Sequence, residues 1–138
     1  MSVGPFDLVQ VRALYGSSGV VTPKPVSDNF YGELGQDFDA GNGALLIAEH
    51  SFAEAWPTWE IHPEGDELVY LIEGDTDFVL WADGVETIIR VNEPGSYIIV
   101  PRNTWHTARP HKPCKMLFLT HGAGTVNALE PGGEPLNY

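Results

Sequence analysis

The stretch WEIHPEGDELVYLIEG, from Trp59 to Gly74, carries the strongest information about the fold of this 138-residue chain. It places Glu60, His62 and Glu67 around a Pro-Glu-Gly-Asp turn and then continues as an apolar strand. Glu60 and His62 are two positions apart, so their side chains face the same side of a strand. A carboxylate that points into an apolar interior costs free energy unless it is paired or bound to a cation.

The turn at residues 63–66 decides whether Glu67 can join the histidine. Glu67 lies five positions after His62, and this odd spacing would put the two side chains on opposite faces of one straight strand. A bend at the turn removes that restriction and can bring Glu67 back toward His62. Glu67 then shares a face with Val69 and Leu71. If that face packs on the core, the side chain of Glu67 points inward.

A third ligand is expected from another strand, because a histidine and a carboxylate converging inside a barrel form a combination suited to a metal. His106 is the best candidate. It follows the segment GSYIIVPRNTWH, in which Pro101 and Asn103 shape a turn before a second inward-facing strand.

The rest of the chain predicts an all-β protein. Turn signals recur about every eight to twelve residues, a spacing typical of sandwiches and barrels. The expected strands are GALLIAEHSFA, PTWEIH, DELVYLIEG, DTDFVLWADG, VETIIRV, GSYIIVP, TWHTARP and CKMLFLTHG. Near the N-terminus, YGSSGVVTPKPVSDN indicates turns and loops, and Pro23 and Pro25 exclude a helix there.

Composition excludes some classes of function. The chain has 19 acidic and 7 basic residues and a net charge of -12, which argues against nucleic-acid binding. The single cysteine, Cys114, excludes an internal disulfide framework. No apolar stretch approaches the length of a membrane span, and the N-terminus lacks a basic region followed by an apolar run. We therefore expect a soluble cytoplasmic protein without nucleic-acid or membrane partners.

Two spaced motifs resemble those of the cupin superfamily. They are Glu60-x-His62-x4-Glu67-x6-Gly74 and Gly95-x5-Pro101-x-Asn103-x2-His106-x3-Pro110. The resemblance covers about residues 41–122, and it implies a double-stranded β-helix, or jelly-roll barrel, with a divalent metal near one mouth. An arm of residues 1–40 would pack on the barrel or on a partner in a homodimer, and residues 123–138 would form a tail over the surface.

The sequence departs from the cupin pattern at three positions. Glu60 replaces the first histidine of the family, Asn103 replaces a glycine, and Pro110 replaces an asparagine that is not usually a ligand. Asn also accepts left-handed backbone angles, so only Glu60 affects the chemistry. The resemblance implies that His62, Glu67 and His106 bind the metal, whose identity among Fe, Mn, Zn and Ni stays open. Glu60 is a fourth ligand, a residue that orients a ligand histidine, or a catalytic general base.

Tyr97, Met116 and Phe118 lie on strands that should line the pocket and are candidate pocket walls, although apolar core packing is the favoured role for each. His50 and His121 are expected to be structural histidines. The resemblance implies a metal-dependent enzyme acting on a small oxygen-containing molecule, of the dioxygenase, decarboxylase, isomerase or lyase type. The alternatives are a non-catalytic module that binds or senses a small ligand, and a structural barrel with a degenerate site.

Overall fold

The computed structural model describes residues 2–28, 30, 44–122 and 124–136. Within these residues the chain forms an all-β fold, as the sequence predicts. The strands are β1 (Val11–Tyr15), β2 (Val21–Pro25), β3 (Leu45–Phe52), β4 (Trp59–Ile61), β5 (Glu67–Ala82), β6 (Val85–Val91), β7 (Tyr97–Val100), β8 (Trp105–Thr120) and β9 (Val126–Ala128).

All strand pairs are antiparallel and belong to one curled sheet. One path through the sheet runs β2-β1-β3-β8-β4-β9, while β5 pairs with β6, β7 and β8. The long strands β5 and β8 lie side by side over most of their length. The first part of β5 also pairs with β7, and its last part pairs with β6. This arrangement is consistent with the expected jelly-roll barrel.

The two long strands correct a sequence-based prediction. The sequence predicts a break at Gly74 and another between Pro110 and Cys114, whereas β5 and β8 each continue through these positions. The pairing of β5 with β8 continues because the register between the two strands shifts between Leu71 and Thr76, where the strands bend. Gly74 has a φ of 121°, in a region that favours glycine, so the chain bends at this point without leaving the sheet.

The core lies between the inward faces of the curled sheet. Alternation along β5 buries Val69 and Leu71, and alternation along β8 buries Met116 and Phe118 against them. Trp56, from the segment between β3 and β4, packs its ring edge against the ring of Phe78, 5.6 Å away between centroids. This apolar cluster forms the interior beneath the polar residues described below.

Both ends of the chain contribute strands. The proline-containing segment expected to be loop forms β2, which pairs with β1 at the edge of the sheet, where the missing N–H groups of Pro23 and Pro25 are tolerated. In the predicted tail, Val126–Ala128 forms β9 against β4 rather than lying loosely on the surface. The predicted boundary between residues 40 and 41 lies outside the described residues. Among the described residues, no helix has the length and apolar character required to cross a membrane.

Replacing Arg90 by glutamine should lower stability in a pH-dependent way. Arg90 donates two hydrogen bonds to Asp75, of 3.0 and 2.7 Å, and holds the pKa of that carboxyl below its usual value. Because folding lowers the pKa of Asp75, the ion pair stabilises the folded protein at pH values above about 3.9, the pKa of an unfolded aspartate. This stabilisation disappears as the pH falls through the folded-state pKa of Asp75. Urea unfolding should therefore separate Arg90→Gln from the wild type at neutral pH and show converging stabilities in strong acid.

Candidate metal centre

The site forms where the first residues of β5 approach the first residues of β8. Glu67 opens β5, and His106 lies near the start of β8. Because the strands are antiparallel, these residues lie toward opposite ends of the shared ladder: Leu68 pairs with Leu119, and His106 pairs with Leu80. The bend of both strands nevertheless brings Oε1 of Glu67 to within 3.3 Å of Nε2 of His106.

Strand β4 supplies the remaining polar side chains. Glu60 pairs directly with His106 across the β4–β8 ladder, and His62 follows immediately after β4. The carbonyl of His62 accepts a 3.0 Å hydrogen bond from the backbone N–H of Asn103. Asn103 has a φ of 57°, so it adopts the left-handed conformation expected at this position.

Four side chains converge at this point. Oε2 of Glu67 lies 3.3 Å from Nε2 of His62, and Oε1 of Glu60 lies 4.0 Å from Nε2 of His106. Glu60, His62 and His106 each offer a potential ligand atom within 4.8 Å of the others. Glu67, His62 and His106 are buried, whereas the side chain of Glu60 is 27% exposed and marks the open side of the cluster.

The far side of each buried group has its own hydrogen-bond partner. Nδ1 of His106 donates to the carbonyl of Thr104 at 3.0 Å, so a neutral His106 carries its lone pair on Nε2, toward the cluster. Nδ1 of His62 lies 2.7 Å from the hydroxyl of Thr125, which can accept in the same way. The hydroxyl of Thr120 donates to Oε2 of Glu67 at 2.5 Å. These contacts fix the orientations of the rings and of the carboxylate.

The atoms that face the centre lack hydrogen bonds. Nε2 of His62, Nε2 of His106 and Oε1 of Glu67 are all buried without a hydrogen-bond partner among the described residues. Each imidazole Nε2 lies 3.3 Å from a carboxylate oxygen of Glu67, but neither contact has hydrogen-bond geometry. Leaving such groups unsatisfied costs about 1–3 kcal/mol each, and more when they are charged. Two imidazoles and a carboxylate with converging lone pairs are a donor set that fits a divalent cation.

Electrostatics in the cluster shift three pKa values. Burial alone would raise the pKa of Glu67, but the two histidines outweigh it and hold that pKa well below its usual range. Burial would lower the pKa of His106, but Glu67 outweighs it and raises that pKa. Burial raises the pKa of Glu60 more than the neighbouring His106 lowers it. The centre therefore holds one carboxylate that stays ionised and a second that binds a proton more readily.

The predicted pocket residues divide between the two faces of the sheet. Met116 and Phe118 are buried in the core and point inward, as expected. Tyr97 is 57% exposed and pairs with Tyr70 on the outer face, so its assignment to the pocket is wrong. Strand alternation is the reason, because on β7 the inward side chains are those of Ile98 and Val100.

Two threonines that support the site, Thr120 and Thr125, are not among the site residues that the sequence predicts. Thr125 belongs to the segment taken as a surface tail, and its contact with His62 spans 63 positions in sequence. Thr120 lies within the predicted strand CKMLFLTHG, and its hydroxyl donates a hydrogen bond to Glu67. Its position two residues beyond the inward Phe118 was the one available signal. No local pattern marks Thr125.

His50 was expected to be a structural histidine. It lies at the edge of the core on the inward face of β3, with its ring 5.4 Å from that of Phe118. Burial and the nearby Arg12 lower the pKa of His50. This imidazole therefore stays neutral to lower pH than a free histidine would.

Comparison with solved structures identifies the fold. An oxalate decarboxylase structure aligns with a TM-score of 0.52 and 19% identity, over 61% of this chain and 23% of that one. An oxalate oxidase in complex with the substrate analogue glycolate aligns with a TM-score of 0.50 and 17% identity, over 59% and 45%. A cupin-2 domain protein from Shewanella frigidimarina NCIMB 400 gives 0.46 and 17%, over 54% and 68%.

The chain has the cupin fold, and the jelly-roll architecture implied by its two motifs is confirmed. It spans less than half of the length of the two oxalate-related chains. No family model matches the sequence, and no curated protein matches it significantly. At these levels of identity the likeness establishes the fold and leaves the reaction to be argued from the site.

Replacing Thr125 by valine should weaken metal binding without unfolding the protein. The substitution keeps the shape of the side chain but removes the hydroxyl that orients His62. Loss of a hydrogen-bond partner of a ligand typically costs about 10- to 100-fold in metal affinity. Competition with a chromophoric chelator would measure the loss, and Thr125→Ser should restore affinity. An unchanged affinity in Thr125→Val would show that the contact does not orient a ligand.

Proposed function

We propose that His62, Glu67 and His106 bind a divalent metal and that the protein is a small metal-dependent enzyme. The observation that carries this proposal is the set of three buried atoms that face one another without hydrogen bonds. Two neutral imidazoles and one carboxylate would leave positions free on the cation, as in the facial arrangement of non-haem iron sites. Zinc, manganese and nickel fit the same donor set.

The substrate class we propose is a small oxygen-containing molecule. A divalent metal in this position would act as a Lewis acid for an oxygen ligand with two donor atoms. The structurally similar oxalate oxidase was solved in complex with the substrate analogue glycolate, which makes small carboxylates and hydroxy acids reasonable first probes. Buried walls formed by Met116 and Phe118 would exclude water from the inner side of such a ligand.

Glu60 would act on the substrate rather than on the metal alone. Its carboxyl group lies at the open side of the cluster, 4.0 Å from the nearest imidazole nitrogen. A carboxylate in this position can reach a ligand that enters from the open side of the cluster. We assign Glu60 as the candidate general base, which would accept a proton from a ligand bound at the mouth.

Cobalt substitution tests the proposal directly. The protein would be stripped of metal and titrated with Co²⁺ while its visible absorption is followed, and glycolate and oxalate would then be added. We expect about one bound ion per chain and a spectral change on ligand addition, because open positions accept the added oxygens. Failure to bind Co²⁺, Fe²⁺, Mn²⁺, Ni²⁺ or Zn²⁺ would overturn the metal site.

A second candidate function is a non-catalytic module that binds a small ligand. The partial exposure of Glu60 and its 4.0 Å separation from His106 favour it, since a distant Glu60 would leave the site with fewer ligands. Glu60→Gln separates the two functions. If Glu60 is the base, the variant should keep its metal and its ligand-induced spectral change but lose turnover of any substrate found. A metal-loaded wild type that binds the probes and turns over none of a panel of small oxygenated acids would favour the binding module.

A further inference from the structure

Arg12 places a positive charge on the inward face of the sheet. β1 pairs with β3 so that Leu14 lies opposite Leu46, and both of these side chains are buried. Arg12 precedes Leu14 by two positions, so its side chain projects to the same side. All seven basic residues lie in the described part of the chain, and Arg12 is the only buried one, with 9% of its surface exposed. A guanidinium therefore enters the interior of a strongly acidic chain.

The inward face of the sheet leads from β1 to the candidate metal centre. In the row that starts at Leu14, the next partners are Leu46 on β3 and Thr120 on β8. The hydroxyl of Thr120 donates a hydrogen bond to Glu67 on β5. Three strand spacings separate β1 from β5, about 14 Å measured along the sheet. Because the sheet is curled and an arginine side chain is long, the path across the interior is shorter than this.

His50 is close to both charged groups. Its ring centroid lies 5.4 Å from that of Phe118, which belongs to the inner wall of the site. Burial lowers the pKa of His50, Arg12 lowers it further, and Glu67 raises it. Electrostatic effects of this kind decline with distance. The imidazole therefore lies near the guanidinium of Arg12 and also near the carboxylate of the candidate metal centre.

The surroundings of Arg12 suit the binding of a carboxylate. Its Cζ atom lies 4.4 Å from the centroid of the Phe30 ring, a cation–π contact that fixes the guanidinium plane. Lys24 on β2 is the direct cross-strand partner of Arg12, so its side chain is on the same face. Both cations have further interactions within the chain, but a guanidinium offers five N–H donors and can bind an additional anion. Arginine recognises a carboxylate through two parallel hydrogen bonds.

The other basic side chains lie at the surface. Arg90, Arg109 and Lys115 form ion pairs with carboxylates of their own chain. Arg102 and Lys112 are exposed. An anionic group inside the curled sheet would therefore meet Arg12 rather than any of these five residues.

We infer that Arg12 binds a carboxylate at one end of the ligand while the candidate metal centre holds the other end. This inference rests on the proposed function and narrows its ligand class to small acids that carry two carboxylates. Attachment at two ends would fix the orientation of the ligand relative to the metal. Arg12 would thereby distinguish a diacid from an acid of the same length with an apolar end.

Two four-carbon hydroxy acids form a matched pair of probes. Malate and 2-hydroxybutyrate share the end that would bind the metal, but malate has a carboxylate where 2-hydroxybutyrate has a methyl group. Each acid would be titrated into the Co²⁺-loaded full chain at constant ionic strength, with visible absorption as the readout. The variants are Arg12→Met, which keeps an unbranched stem without the charge, and Arg12→Lys, which keeps the charge. Arg102→Met is the control, and circular dichroism would check folding.

We expect the wild type and Arg102→Met to bind malate more tightly than 2-hydroxybutyrate. In Arg12→Met this preference should fall by at least about tenfold, the value of one hydrogen bond to a charged group. The affinity for Co²⁺ should stay unchanged. Arg12→Lys should lose a smaller part of the preference, because an ammonium group cannot form the paired hydrogen bonds of a guanidinium. This variant also provides the test if Arg12→Met does not fold.

The outcomes separate the inference from the metal site. Equal affinities of the wild type for the two acids would overturn the role of Arg12 and leave the metal site standing. A full preference for malate in the folded Arg12 variants would do the same. A wild type that takes up no Co²⁺ would overturn the proposed function and, with it, this inference.

Discussion

Replacing Glu67 by alanine is expected to abolish metal retention while the barrel remains folded. Among the described residues, Glu67 is the one carboxylate within 3.3 Å of both buried imidazoles, and its charge would balance a cation bound between them. Loss of an outer partner alone costs about 10- to 100-fold in metal affinity, so loss of a charged ligand should exceed about 100-fold. Metal analysis by plasma mass spectrometry on protein purified without an affinity tag would measure the effect.

A control on the same strand separates the site from general damage to β5. The side chain of Glu73 is 69% exposed and contacts only the surface Lys115 among the described ion pairs. Glu73→Ala should keep the wild-type metal content. If Glu67→Ala retained its metal, or if Glu73→Ala lost it equally, the assignment of Glu67 would be wrong.

A second measurement on the Glu67 variant needs no metal. Glu67 is the main group that raises the pKa of His106 against the opposing effect of burial. In metal-free Glu67→Ala, the pKa of His106 should therefore fall, and a nuclear magnetic resonance titration of the imidazole would detect the change. This result would establish the contact between the two residues even if the native metal were unknown.

Replacing Gly74 by alanine is expected to cause the largest loss of stability from a single methyl group. A Cβ atom at this position would lie 2.6 Å from the carbonyl oxygen of Pro113 and 2.7 Å from the Cα of Cys114, both backbone atoms that cannot rotate away. The φ of 121° adds strain for any side chain. Overpacking costs about 1–3 kcal/mol and a left-handed residue about 1–2, so we expect roughly 2–5 kcal/mol.

Gly19 provides the matched control for Gly74. Its φ is 89°, but a Cβ atom there would meet nothing within 4 Å. Gly19→Ala should therefore lose only the backbone contribution, about 1–2 kcal/mol. Urea unfolding of both variants would separate the effects of strain and clash. Equal losses in the two variants would show that the close approach of β5 and β8 at Gly74 tolerates a methyl group.

Gly74→Ala should also weaken metal binding, although Gly74 is not a ligand. The bend at Gly74 folds β5 and β8 so that Glu67 meets His106, and a shift of the strands would separate them. Metal affinity should fall in Gly74→Ala and stay unchanged in Gly19→Ala. This pattern would link the glycine of the first motif to the geometry of the site rather than to stability alone.

The all-β class and most of the cluster are predictable from the sequence for identifiable reasons. Alternation of side chains along a strand puts Glu60 and His62 on one side, and the turn that follows allows Glu67 to join them. Asn103 was recognised as a left-handed position because its short amide side chain accepts such angles. These inferences depend on local geometry, which neighbouring residues in the chain determine directly.

The prediction of separate strands at Gly74 and near Pro113 failed for an equally physical reason. Glycine and proline ordinarily interrupt strands, yet here cross-strand pairing continues through register shifts, and the glycine supplies the bend. Tyr97 was misplaced because its inward or outward direction depends on the register between β7 and β5. Register is a property of the assembled sheet, so one sequence segment does not reveal it.

By itself, the sequence determined which residues could form a cation site and that they lie on or beside strands, because residue type and spacing fix local chemistry. Only the tertiary structure decided that Glu67 and His106 meet, since they stand toward opposite ends of one ladder and approach through the bend. It also placed Thr125 behind His62, 63 positions away in the sequence. Contacts of this kind arise from packing between distant segments, which no local pattern in the chain encodes.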